Sequence, residues 1–131
     1  MSARQFDRRN PMKHAKGLGS AKDGTHHFIV QRISAVALVF LVPWLVWLVL
    51  NLLHADYATA HATLAQPVNA VLLSALLLMM FWHARLGLQV VIEDYVHGPA
   101  MNIIAQLLVW FACSLGALVS LVAIGRILFA A

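Results

Sequence analysis

From Ile33 to Leu50 the chain offers a single polar side chain, Ser34. As a helix rising about 1.5 Å per residue, this run is roughly 27 Å long. That is close to the hydrocarbon thickness of a bilayer, so the fold must be built from crossing helices. Two more apolar runs follow. One starts near Val68 and closes in HARLGLQVVIEDYVHG (His83 to Gly98), and the other extends from about Ala100 to Phe129. With 62% hydrophobic and only 11% charged residues, a 131-residue chain has more apolar surface than a soluble domain can hide.

These runs predict an all-α integral membrane protein with three transmembrane helices, at about residues 26–53, 67–95 and 100–129. A basic arm covers residues 1–25. Three helices enclose a cofactor poorly by themselves, so a partner anchor subunit completing a helical bundle is expected. Pro43 lacks a backbone donor and is expected to bend the first helix near Val39. Gly98 and Pro99 stop the second helix at a short turn. Ala112, Gly116 and Ser120 recur at intervals of four, which predicts a face of the third helix that approaches a neighbour closely. Ala70 and Ser74 suggest the same on the second.

The formal net charge of +4 raises nucleic acid as a partner, and the distribution of charge removes it. Arg4, Arg8, Arg9, Lys13, Lys16, Lys22 and Arg32 lie before or just inside the first apolar run, leaving only Arg85 and Arg126 beyond it. That asymmetry is an orientation signal for a chain in a lipid bilayer. It predicts a cytoplasmic N-terminus and a cytoplasmic 96–99 turn, with the C-terminus on the periplasmic side. The 54–66 connection contains no Lys or Arg, as an outer segment should. The arm is long for a cleaved signal and the first apolar run exceeds a signal core, so this helix is expected to be retained. A basic, uncleaved start fits a bacterial inner membrane. Cys113 is the only cysteine, which leaves no disulfide or cysteine-metal framework within the chain.

Three polar groups interrupt the apolar runs, and polar side chains at membrane depth usually carry function. His83 is the deepest. A transmembrane histidine can make a helix–helix hydrogen bond, relay protons or ligate haem iron. Gly87, one turn on and about 40° around the helix, would let a macrocycle edge approach the backbone. His26, His27 and Arg32 gather where the first helix enters the membrane. They either snorkel toward headgroups or pair with anionic groups such as haem propionates. Glu93, Asp94 and Tyr95 end the second helix, about 18 Å along its axis from His83 for the tyrosine. A phenol that donates and a carboxylate that relays protons suit quinone reduction, whereas an interfacial belt tyrosine would need neither.

HARLGLQVVIEDYVHG resembles the pattern of the small hydrophobic membrane-anchor D subunit of succinate dehydrogenase, respiratory complex II. The likeness lies in a histidine, a glycine four residues on, a glutamine, and the Asp-Tyr-Val-His-Gly string beginning eleven residues after the histidine. GTHHFIVQRISAVAL, from Gly24, is similar to the family's first-helix start, with histidine and arginine six apart. The resemblance implies a heterotetramer of a flavoprotein subunit, an iron–sulfur subunit and two membrane anchors that share a haem b and bind ubiquinone. It implies His83 as a haem axial ligand, with the second supplied by the other (cytochrome b) anchor. Arg32 and His26, with His27 as a neighbour of equal chemistry, fall near the propionates; Tyr95 contacts ubiquinone beside Asp94. Glu93 departs from the family pattern, where a threonine stands. Other readings are the anchor of a fumarate reductase and a cofactor-free accessory membrane protein.

Overall fold

The structure, a computed structural model, describes residues 24–129. Four helices follow in order: α1 (Gly24–Leu52), α2 (Tyr57–Leu64), α3 (Pro67–Tyr95) and α4 (Pro99–Phe129). No strand occurs among the described residues. The three long helices are each long and apolar enough to cross a membrane. Apart from Gly24 and Thr25, the basic arm lies outside the described residues.

The punctuation of the sequence explains most boundaries. Pro67 opens α3, where a missing N–H removes nothing a first turn needs. At its other end the chain leaves the helix at Val96, whose backbone is extended. Pro99 begins α4, and the Asn102 N–H closes its first turn on the Gly98 carbonyl at 2.8 Å. The α1 helix starts two residues before the expected boundary and continues through Pro43. The connection between the first two crossings holds a short helix, α2, for which the sequence reading gave no expectation. Asp56 caps α2 by accepting from the Thr59 N–H at 3.0 Å. That cap satisfies one of the amides a helix start otherwise leaves unpaired. Hydrogen bonding from the Thr59 side chain first, and its backbone second, holds the exposed Asp56 carboxyl below the usual aspartate range.

The long helices form a row with α3 in the middle. It packs against α1 on one side and α4 on the other, while α1 and α4 share no substantial interface. The α2 helix touches both α3 and α4 at the end of the row remote from Tyr95. On α3, Phe81 faces α4 and His83 faces α1. Two residues turn a helix by about 200°, which is how one helix serves two neighbours on nearly opposite sides.

Little of this row is enclosed. Ser34, Leu48, Ala70, Leu76 and Leu86 are buried, whereas Phe40, Leu50, Leu108 and many other large apolar side chains are exposed. Surface of that kind belongs against lipid or another protein. The close approach expected of the third helix occurs at Gly116. A Cβ there would lie 2.6 Å from Phe81 Cε1 and 2.7 Å from Cζ. Ala112 is exposed instead of sharing the contact. Ser120 and Ser74 return their hydroxyls to their own helices, at Gly116 O and Ala70 O.

Candidate functional site

His83 meets α1 at Ser34. The imidazole Nδ1 lies 3.0 Å from Ser34 Oγ, and the same hydroxyl lies 2.8 Å from the Gln31 carbonyl, one turn back along α1. Ser34 is 2% exposed. The other ring nitrogen, Nε2, has no hydrogen-bond partner among the described residues. Ser34 entered the sequence analysis only as the lone polar residue of an apolar run, and its partner lies 49 residues away. Nothing in the local pattern of α1 identifies that pairing.

One turn on from His83, Gly87 opens onto free space: beyond its chain neighbours and its own helix backbone, no atom of the described residues lies within 4 Å of the position a Cβ would take. An axial ligand needs one ring nitrogen anchored and the other unpaired, and a flat macrocycle beside it needs room at the backbone. His83 and Gly87 meet both requirements. Among the described residues no cluster of three or more His, Cys, Asp or Glu could hold an ion alone.

The basic group at the start of α1 is divided. His26 and His27 line a cleft with Val30, Trp82, Arg85, Leu86 and Gln89. His27 Nε2 is buried there without a hydrogen-bond partner among the described residues. Arg32 is exposed, with its guanidinium 5.0 Å from the centre of the Phe28 ring. At 100° per residue, Arg32 is turned about 160° from Ser34 and His26 about 80° the other way. Arg32 and the His26 cleft thus occupy different sides of α1.

Arg85, on α3, lines both the His26–His27 cleft and a second cleft on the α4 side, and His83 lines neither. The Arg85 guanidinium stacks 5.4 Å from the Trp82 ring, and the second cleft, of about 210 Å³, is shared with Gln89, Gln106 and Trp110. A neighbouring cleft continues past Phe81, Trp110 and Cys113. None of these clefts is lined by His83, Gly87 or Tyr95.

At the end of α3, Tyr95 is 79% exposed and Asp94 is exposed beside it. Glu93 is drawn back along the helix by a 2.9 Å bond from Gln89 Nε2. The turn is held from α4: Asn102 Nδ2 donates to Val96 O at 3.0 Å and reaches Ile92 O at 3.4 Å. Gln106 Nε2 in turn donates to Asn102 Oδ1 at 2.7 Å. Asn102, braced by Gln106, thus supplies a donor to the Val96 carbonyl, while Ile92 O already accepts from the Val96 N–H at 2.8 Å. Sequence reasoning missed both side-chain amides. Their only signal was an Asn and a Gln four apart near the start of an apolar helix, which is also common on a wet surface.

Residues 7–122 match the family described as succinate dehydrogenase/fumarate reductase transmembrane subunit. The chain is 40% identical over 91 residues to the succinate dehydrogenase hydrophobic membrane anchor subunit of Rickettsia bellii, covering 70% of this chain and 73% of that one. The subunit of the same name in Rickettsia typhi is 28% identical over 119 residues, 91% of this chain and 95% of the relative. That of Paracoccus denitrificans is 32% identical over 88 residues, 67% and 68% of the two chains. No solved structure matches the chain.

Proposed function

The chain belongs to the succinate dehydrogenase/fumarate reductase transmembrane subunit family, and on that premise we propose that it anchors a succinate:ubiquinone oxidoreductase, contributing a haem b ligand and part of the ubiquinone site. The relatives reported above carry the succinate dehydrogenase name, which favours that direction over fumarate reduction. In this reading the catalytic partners are a flavoprotein subunit that oxidises succinate and an iron–sulfur subunit that delivers electrons. A second anchor completes the haem site. The complex sits in a bacterial inner membrane, with the N-terminus and the Tyr95 end cytoplasmic and the C-terminus periplasmic.

One observation carries the reading: His83 lies within hydrogen-bond distance of Ser34 through Nδ1, with no partner for Nε2 among the described residues and open space beside Gly87. A haem held there would supply a one-electron store. His83 would bond its iron through Nε2, and Gly87 would admit its edge. Arg32, His26 and His27, at the same end of α1, would give propionates charge-assisted hydrogen bonds.

Tyr95 acts on the quinone. Its hydroxyl donates to a carbonyl oxygen, and that bond strengthens as negative charge grows on the oxygen during reduction. Two protons must also arrive. Asp94, exposed beside the tyrosine, can take them from water and hand them on. Glu93 is held by Gln89 and is the less free of the two acids.

The test is Tyr95→Phe, which keeps the ring and removes only the hydroxyl. Losing one hydrogen bond in a partly desolvated site costs about 1–3 kcal/mol, roughly a fivefold to 150-fold loss in quinone-dependent succinate oxidation. Oxidation with a soluble dye acceptor should persist, because succinate reacts in another subunit. Wild-type rates with both acceptors would remove Tyr95 from the site.

A further inference from the structure

We propose that Ser34 is the positioning residue of His83, fixing the tautomer in which Nε2 carries the lone pair. The inference rests on the reading of His83 as a haem ligand. It adds a role for a residue on a different helix.

The argument is a count of protons. Ser34 has one hydroxyl hydrogen and two short contacts, Gln31 O at 2.8 Å and His83 Nδ1 at 3.0 Å. A carbonyl oxygen can only accept, so the hydroxyl donates to Gln31. Return of a serine hydroxyl to a carbonyl one turn back is a common habit within helices. The serine oxygen then faces Nδ1 with lone pairs only, and Nδ1 must bring the hydrogen. The reverse arrangement would set Ser34 Oγ against Gln31 O at 2.8 Å with no hydrogen between them. A neutral imidazole with hydrogen on Nδ1 has its free lone pair on Nε2.

Burial gives this bond its weight. With Ser34 2% exposed, water does not compete for the hydroxyl, and a low-dielectric surrounding strengthens the pair. The chain Nδ1–H to Oγ–H to Gln31 O also polarises the ring. An imidazole that donates a hydrogen bond is a more basic ligand through its other nitrogen. It stabilises ferric over ferrous iron. The bond also fixes the ring plane, because it pins one edge of the imidazole to α1.

The experiment uses the assembled complex with Ser34→Ala, Ser34→Val and Ser34→Thr. Valine and threonine have the same shape and differ in the hydroxyl, which separates hydrogen bonding from packing. The readouts are the haem midpoint potential and the low-spin ferric resonance, neither of which depends on turnover. Ala and Val should move the ferric/ferrous balance about tenfold toward ferrous, about 59 mV more positive for one electron, and shift or broaden the resonance. Thr should keep both near wild type. Unchanged values in all three variants, or equal shifts in all three, would overturn the role of Ser34. His83→Ala in the same complex tests the underlying reading separately. If its haem spectrum stays wild type, His83 is not a ligand. If the haem is lost there while Ser34→Ala and Ser34→Val behave as wild type, the ligand stands and the positioning role fails.

Discussion

Gly116→Ala adds one methyl group at the tightest point between α3 and α4. Its Cβ would stand 2.6 and 2.7 Å from two Phe81 ring carbons and 3.4 Å from a third. Carbon atoms sit comfortably near 3.5–4.0 Å, so the ring must move by roughly 1 Å. Inserting a methyl group into a filled contact typically costs about 1–3 kcal/mol. Exchanging glycine for alanine within a helix returns about 0.8–1.0 kcal/mol of backbone propensity. The net destabilisation of the α3–α4 pair is thus about 0–2 kcal/mol, and its sign depends on Phe81. In a Phe81→Ala background the obstruction is gone, so Gly116→Ala should become stabilising by about 1 kcal/mol. Gly125→Ala is the matched control on the same helix, where a Cβ would meet nothing within 4 Å. It should stabilise in either background. The assay follows detergent-driven separation of α3 and α4 by energy transfer between labels at the exposed Val71 and Val122, in a Cys113→Ser background. If Gly116→Ala and Gly125→Ala act alike, or if removing the Phe81 ring leaves the effect of Gly116→Ala unchanged, the contact does not control this interface.

Three further outcomes are expected. Asn102→Leu strips Val96 O of its side-chain donor and leaves Ile92 O with the Val96 N–H alone, which should cost about 0.5–1.5 kcal/mol and speed exchange of the Val96 amide roughly twofold to tenfold; wild-type exchange would show that the turn holds without it. Because the folded Asp56 carboxyl is held below its usual range, its contribution to α2 is present above that range and lost as pH falls through the lowered value. The Thr59 amide resonance should therefore inflect below the ordinary aspartate value and lose this step in Asp56→Asn, and an inflection above that value would contradict the cap. Reporters fused after Met1 and near Val96 should read as cytoplasmic and one at Ala131 as periplasmic; a cytoplasmic C-terminus would reverse the assigned orientation.

The crossings were legible because their cause is local. A long run without charge has few fates, and Pro67, Gly98 and Pro99 mark its limits. For α3 the expected span of 67–95 coincides with Pro67–Tyr95. The short α2 was missed because its eight residues lack an apolar stripe of useful length. Its signal was smaller, an Asp three residues before a Thr. Which faces meet was not legible either. Lipid is as apolar as a neighbouring helix, so hydrophobic periodicity does not mark the packed side as it does in water. The small-residue spacing found Gly116 but could not tell it from Ala112. The same limit hid the pairing of Ser34 with His83 and the division of His26 from Arg32. Each depends on how two helices are rotated, which their separate sequences do not encode locally.

Because α1 and α4 share no substantial interface, the row of long helices has no enclosed centre. A closed bundle must part its helices before anything can reach its middle. Here both broad sides already face the surrounding phase, and a flat molecule or another helix can come alongside by sliding within the sheet of lipid. The search for a partner then runs in two dimensions instead of three, and docking requires no hinge, lid or threading step. On the reading proposed above, insertion of the three crossings and completion of the site around His83 would be separable events, the second set by encounters in the plane of the membrane.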